Sequence, residues 1–459
     1  MSRTRRFTPH HETTPSPAGL APSKSALIQG GAKSRLKGQY NTPEPNAKVV
    51  LYRGRVRVTQ GSTTEEGDGI VEVRWYPQPK IFFAIPSLVW SLSFEDCTLE
   101  LVERRGWRCA ATVEARGSGG IRGRVDRVAG GAANFEPGMG PRVTELRAHL
   151  PNFLNIGGAR LARDGGDGDY CGRIEFDVEP WRVTLDSIEG KATEVLKTTG
   201  GFVFTHILSC RRVDGADFDP MDLKELLFDL DTVLSFCAGH WVGVSLATGH
   251  EAGGALVWEN WRLPWLAPYE EGRTWFPNYY SEGVLEAVVP AFVKASCDPV
   301  VGRVLRTAVH WHVQANGSHS SIDGSIVVAL TALELLAWNE LVTRGTMTPE
   351  AFEKEGAHGK IRRYLAAKSI PCASVPSELA DLAAFVAAEQ GCSDGVEGLT
   401  RIRNRTVHPP KASGFKDFSF EVLEQAWRYV LYLLERSILA EIGYHGHINE
   451  RLGWQDLVI

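Results

Sequence analysis

Between Lys48 and Arg212 apolar and polar residues alternate in short runs: "VVLYRGRVRV", "GIVEVRWYP", "CTLELVERRGWRCAATVEA", "RVTELRAHL" and "GRIEFDVEPWRVTLDSI". A two-residue period buries one face of a strand, and the Gly, Pro and Asp residues between the runs supply turns. The pattern predicts a mainly antiparallel sheet, sandwich or barrel-like, with "ERRGWR" at a hairpin tip. A helix is predicted over 220–238, followed by further strands over 241–263 ("WVGVSLATG", "ALVWENWRL").

After Gly283 the period lengthens to 3.6. "EGVLEAVVPAFVKAS", "DPVVGRVLRTAVHWHV", "SSIDGSIVVALTALELLAWNELVT", "TPEAFEKEGAHGKIRRYLAAK", "VPSELADLAAFVAAE", "GVEGLTRIRNRTVH" and "SFEVLEQAWRYVLYLLERSILAEIG" place apolar residues at i, i+3, i+4 and i+7. The expected fold class is therefore α+β, with a β-rich domain over 46–282 and an all-α bundle over 283–459. Residues 1–45, rich in Ser, Thr, Pro and Gly, read as a disordered arm.

Composition narrows the function classes. The chain has 459 residues, 43% of them hydrophobic, enough for more than one cored domain. Its net charge of -5 gives no global basic field, so nucleic-acid binding would need a local patch. No apolar run comes near the roughly 20 residues of a membrane span, and the charged amino terminus lacks the apolar stretch of a secretory leader. A cytoplasmic protein without a membrane partner is expected. Eight cysteines without a C-x-x-C pair read as reduced thiols.

Several polar clusters invite chemistry and have plainer readings. His310 and His312 are two residues apart on a predicted helix, which turns their rings about 200° from each other and away from one metal ion. His319, His445 and His447 add no ligand spacing. Asp164, Asp167 and Asp169 lie among glycines without EF-hand spacing or a closing Glu, as in a solvated hairpin loop. The Gly-rich stretches have no G-K-[ST] and open no helix, so they are not phosphate loops. Trp258, Trp261 and Trp265 read first as core or interface residues, with base or sugar stacking as the alternative.

"RIRNRTVHPPK", Arg401 to Lys411, is the densest polar stretch. Arg401, Asn404 and His408 fall on one helical stripe, whereas Arg403 and His408 are about 140° apart. Pro409 ends the helix at His408, placing the imidazole at the negative end of the helix dipole, where an acid or base role near neutral pH is available. Arginine forks suit a phosphate. Ordinary dipole partners at a helix end are the plainer alternative.

The "RNRTVH" helix end, downstream of the apolar helix "VVALTALELLAWNELV" with Glu334, resembles the HEPN family (higher eukaryotes and prokaryotes nucleotide-binding). The resemblance covers about 285–445, and its R-[N/D/H]-x3-H motif is matched by Arg403, Asn404 and His408. The layout of β-rich front and helical back is similar to ApeA-type anti-phage proteins. What the resemblance implies is a metal-independent endoribonuclease that needs no cofactor and acts in bacterial defence. Its site would be shared between two bundles of a homodimer. His408 would act on the ribose 2′-OH or the leaving 5′-oxygen, Arg403 would stabilise the transition state, and Asn404 would orient His408. Arg401 and Arg405 would be RNA-backbone contacts, RNA (tRNA included) the substrate, and a phage-derived factor a candidate trigger. The alternative is a catalytically silent bundle that dimerises and presents the β domain to a partner.

Overall fold

The computed structural model describes residues 32–459 apart from 43, 87–94, 105–106, 118, 128–139, 164–167, 190–191, 271–273, 278–282, 318–320, 409–417, 450, 453–455 and 459. Strands β1 (Val49–Gln60), β2 (Thr63–Arg74), β3 (Lys80–Ile85), β4 (Asp96–Leu101), β5 (Arg108–Gly117) and β6 (Gly120–Arg127) come first. They close into an antiparallel barrel in the order β1-β2-β3-β6-β5-β4. Alternation fills its interior: Val56, Val58, Val71, Val73, Phe83 and Leu99 point inward and are fully buried.

Strands β7 (Glu145–Pro151), β8 (Ala159–Ala162), β9 (Asp169–Val178), β10 (Trp181–Ser187), β11 (Phe204–Arg212), β12 (Ser245–His250) and β13 (Leu256–Asn260) form a second sheet. Its order is β13-β12-β7-β11-β10-β9-β8. Helix α1 (Ala192–Thr199) joins β10 to β11, and α2 (Lys224–Ala238) lies between β11 and β12. Gly239 ends α2 in the left-handed conformation (φ 73°), returning its N–H to the Ser235 carbonyl.

The helices that follow are α3 (Val284–Ser296), α4 (Pro299–Asn316), α5 (Ile322–Trp338), α6 (Pro349–Lys354), α7 (Ala357–Ala367), α8 (Ala380–Ala388), α9 (Gly395–Val407) and α10 (Phe420–Glu441). A short hairpin, β14 (His447–Asn449) with β15 (Asp456–Val458), follows α10. The protein is α+β, as its two hydrophobic periods predict. The single helix expected from "TPEAFEKEGAHGKIRRYLAAK" divides into α6 and α7, because Glu355 and Gly356 are extended.

Two hydrophobic cores hold these layers. The barrel core takes in Phe204 and Leu246 from the second sheet, with Phe202 and Trp261 flanking its strands, which docks the barrel. A larger core runs without a break from the strands β7, β9, β10 and β11 through α2 into the helices. Strand-bearing and helical sequence thus divide near residue 283, but the core passes across that point, with α3 packed on β9.

Two expectations change. Residues 33–42, read as part of a disordered arm, lie against the second sheet: Lys33 bridges Leu161, and Leu36 N–H donates to Asp186 at 2.7 Å. The reason is Tyr40, buried with its hydroxyl 3.1 Å from Glu259 and 3.0 Å from the Trp261 indole nitrogen. Residues 1–31 lie outside the described residues. The second change is that Ile322–Thr343, α5 with its terminal π turn, is long and apolar enough to cross a membrane, with mean hydropathy 1.6. It packs among α4, α7, α9 and α10, and Ala329, Leu330, Leu333 and Leu336 are buried there, as in a core helix.

Candidate functional site

Helix α9 carries four of the five residues singled out by its motif, and its carboxyl-terminal cap is the fifth. Asp394 caps its start by accepting the Glu397 N–H at 2.9 Å, and Arg362 of α7 holds that carboxylate at 2.7 Å. Val396, Leu399 and Ile402 bury one face, and α9 packs on α5, α7 and α8. His408 follows Val407 as the carboxyl-terminal cap; its backbone has left the helical region (φ -128°, ψ 74°) while its N–H still bonds the Asn404 carbonyl at 2.8 Å. The prolines expected to stop the helix, Pro409 and Pro410, lie outside the described residues.

The three arginines are equally exposed, at 26%, 28% and 27% for Arg401, Arg403 and Arg405. Their partners differ. Arg401 donates to the Gln390 and Gly391 carbonyls at 2.8 and 2.7 Å and to Glu397 at 2.7 Å, tying down the turn between α8 and α9. Ser393 and Arg401 hold the Glu397 carboxyl down to about 2. Arg405 pairs with Glu389 at 2.5 Å, and its guanidinium carbon lies 6.0 Å from the Phe418 ring centre. Of the three, Arg403 is the loosely held one: 3.7 Å from Glu334 of α5 and 3.4 Å from the Asn404 side-chain oxygen, with a buried Nε that has no hydrogen-bond partner among the described residues.

Arg403, Asn404 and His408 therefore stand together at one helix end, with Asn404 and His408 exposed. Arg401 turns from the expected stripe into the α8–α9 turn. No side-chain hydrogen bond joins Arg403 to His408 among the described residues. Glu389, which holds both Arg401 and Arg405, carries no motif and was not foreseen; an acidic residue 12 and 16 positions upstream has no fixed meaning until the turn is known.

The decoys resolve in physical terms. His312 is fully buried with Nε2 3.1 Å from Glu435 of α10, whereas His310 faces Trp241 and Trp265. Their opposed directions are those of residues two apart on a helix. No group of three or more potential metal ligands occurs among the described residues. Trp258 and Trp261 are buried, but Trp265 is exposed. Asp164, Asp167 and His319 lie outside the described residues.

Residues 139–272 match the family model described as YopA central domain, and residues 298–458 match the YopA C-terminal domain. The boundaries fall close to the structure: the first spans the second sheet with α2, the second runs from the start of α4 to the final hairpin. The chain is 28% identical over 317 residues to the SPbeta prophage-derived uncharacterized protein YopA of Bacillus subtilis (strain 168). That match spans 68% of this chain and 69% of the relative. No solved structure matches the chain.

Proposed function

We propose that the chain is a metal-independent endoribonuclease whose active centre forms where the carboxyl ends of two α9 helices meet across a two-fold axis. The observation that carries the reading is the contrast among equally exposed arginines. Arg401 and Arg405 are committed to close partners, while the motif residue Arg403 keeps only long contacts among the described residues. A guanidinium held that loosely is available to a phosphate.

His408 takes the ribose 2′-OH proton or protonates the leaving 5′-oxygen, Arg403 stabilises the extra charge on phosphorus, and Asn404 orients His408. Because no side-chain hydrogen bond joins Arg403 to His408 among the described residues, a second copy brings its own set beside the first. Val407, 46% exposed, and Trp338, one turn beyond Glu334 on α5 and 37% exposed, offer apolar contact for that copy. The reaction calls for no cofactor. Arg401 and Arg405 then act mainly as supports of the helix, contributing positive field to RNA and not direct contacts.

The protein acts in the cytoplasm on cellular RNA, tRNA among the candidates, and a phage-derived trigger releases it. A prophage-derived relative is compatible with an effector directed at competing phage. Incubating the full chain with total RNA and tRNA, with and without EDTA, tests the reading. Cleavage should persist in EDTA, leave 2′,3′-cyclic phosphate and 5′-hydroxyl ends, and fall about a hundredfold or more in H408A. R403A should show a comparable loss. Activity abolished by the chelator, or unchanged in both variants, overturns it and leaves the silent binding module.

A further inference from the structure

A cavity of about 370 Å³ opens between α2, α4 and the chain after β13, on the face of α4 opposite His312. Three of the rings lining it stand together as one wall. Trp241 and Trp265 meet edge to face, with centroids 5.7 Å apart and planes at 84°. His310 lies 5.2 Å from the first and 5.7 Å from the second, tilted by 52° and 44°. No ring of the three is stacked flat on another, so faces remain for a further ring. Trp265 is 67% exposed, the highest value among the large apolar side chains described. Apolar surface left in water beside a cavity is a mark of a contact site.

The polar groups of the cavity are already paired. Asp231 accepts the Val244 N–H at 2.7 Å and Arg262 at 2.5 Å. Arg306 pairs with Asp229 at 2.7 Å and lies over the Phe228 ring. The Ser235 hydroxyl donates to the Val242 carbonyl and accepts the Val242 N–H, and Thr232 donates to the Phe228 carbonyl.

These pairings select the ligand class. A sugar or a free phosphate needs several open donors and would find them taken. A quaternary ammonium ion, the usual guest of an aromatic box, would find the nearby carboxylates of Asp229 and Asp231 already taken by Arg306 and Arg262. A flat heteroaromatic ring needs ring faces and one or two edge contacts. His310 can supply an edge contact, since its ring nitrogens have no hydrogen-bond partner among the described residues. Small-ligand sites usually span about 300–1,000 Å³, so this one admits a nucleoside and not a duplex.

We infer that this cavity binds a nucleobase, with its ring laid against Trp265 and Trp241 and its edge against His310. The base belongs either to a free nucleotide or to an unpaired residue of single-stranded RNA. The inference does not rest on the nuclease reading, because the cavity shares no residue with the end of α9.

Calorimetric titration of the full chain with AMP, GMP, CMP, UMP and a short single-stranded oligoribonucleotide tests it, with ribose 5-phosphate and choline as controls. Nucleotides should bind, purines more tightly than pyrimidines because their rings cover more of the indole. The controls should not bind. W265A should weaken binding about tenfold or more, the effect of losing one stacking ring. W265F should retain most of it. An oligonucleotide much tighter than any mononucleotide identifies RNA as the source, and the reverse identifies a free nucleotide. Absence of nucleotide and oligonucleotide binding at millimolar concentration, binding indifferent to W265A, or competition by ribose 5-phosphate or choline would overturn the inference.

Discussion

Arg451 to alanine should be among the most damaging single substitutions in the helical core. The residue lies beyond α10, yet its side chain is 1% exposed. Its guanidinium grips Glu435 at 3.0 and 2.5 Å and reaches Asn316 of α4 at 2.8 Å, while Asn316 itself holds the Gly239 carbonyl at the end of α2. Glu435 is 3% exposed and His312 is 0% exposed. Burial pushes the His312 pKa down, so the ring is neutral and serves as a hydrogen-bond donor. Burial alone would raise the Glu435 pKa; the Arg451 charge and the His312 hydrogen bond outweigh it and hold the carboxyl at about 2.

Removing Arg451 leaves that carboxylate buried without a counter-charge, which costs about 3–5 kcal/mol. The Arg451 charge that holds the carboxyl at about 2 against its burial is what the substitution takes away. The sign with pH is opposite in the two proteins. In the native chain the depressed pKa gives stability that is present above about pH 4.5 and lost as pH falls toward 2. In R451A the buried carboxyl is pushed above its unfolded value, so the variant should be less impaired at low pH than at high pH. Urea unfolding followed by far-UV circular dichroism at about pH 5 and 8 measures both. The double variant E435Q/R451M, which removes both charges, should recover much of the loss. A loss under about 1 kcal/mol in R451A, or one equal at the two pH values, refutes the reasoning.

Other outcomes follow from the same geometry. R401A should cost about 1–2 kcal/mol of thermal stability by freeing the Gln390 and Gly391 carbonyls and Glu397, whereas R403A should cost less than about 0.5, as checked by melting curves. Glu145, held at about 2 by Arg147, Ser209 and Arg211 against the effect of its burial, contributes stability above about pH 4.5 that is lost toward pH 2. E145Q should therefore flatten the acid limb of a plot of unfolding midpoint against pH. Y40F removes the hydroxyl shared by Glu259 and the Trp261 indole, and should cost about 1–3 kcal/mol and speed hydrogen exchange over residues 33–42. A 283–459 fragment should aggregate, because Leu285, Val288 and Phe292 of α3 would lose the layer that buries them; a folded, monodisperse fragment would contradict the shared core.

Periodicity carried the fold class and most elements because each strand or long helix buries one face, and that face is written in the local sequence. Strands β3, β6 and β8 and helix α1 were less visible, being short or rich in Gly, Arg and Ala, and their existence depends on neighbours far along the chain. The covering of the second sheet by residues 33–42 could not be read locally at all, since Tyr40 is anchored by Glu259 and Trp261, about 220 positions away. The same holds for His312, whose partner Glu435 is 123 positions downstream. A histidine on an apolar helix signals burial; which carboxylate it meets is decided by the packing of α4 against α10.

The end of α9 shows what spacing alone leaves undecided. Arg401, Arg403 and Arg405 are equivalent as letters, and alternate residues on a helix are 200° apart, so they must face different surroundings. Arg401 and Arg405, one turn apart, share Glu389, and the turn between α8 and α9 uses up their charge. Among the described residues Arg403, on the other side, meets Glu334 across a 3.7 Å gap and the Asn404 side-chain oxygen at 3.4 Å. A chain using all three for dipole compensation would have no reason to hold one so loosely beside an exposed asparagine and histidine. Among the described residues no side-chain hydrogen bond joins Arg403 to His408, and the His408 backbone has already left the helical region. Under the nuclease reading the pairing is therefore intermolecular. Mixing R403A protein with H408A protein should then restore part of the cleavage lost by each, through mixed dimers that assemble one intact composite centre. If the mixture stays as inactive as its components while subunit exchange is demonstrated, the centre is not shared between copies.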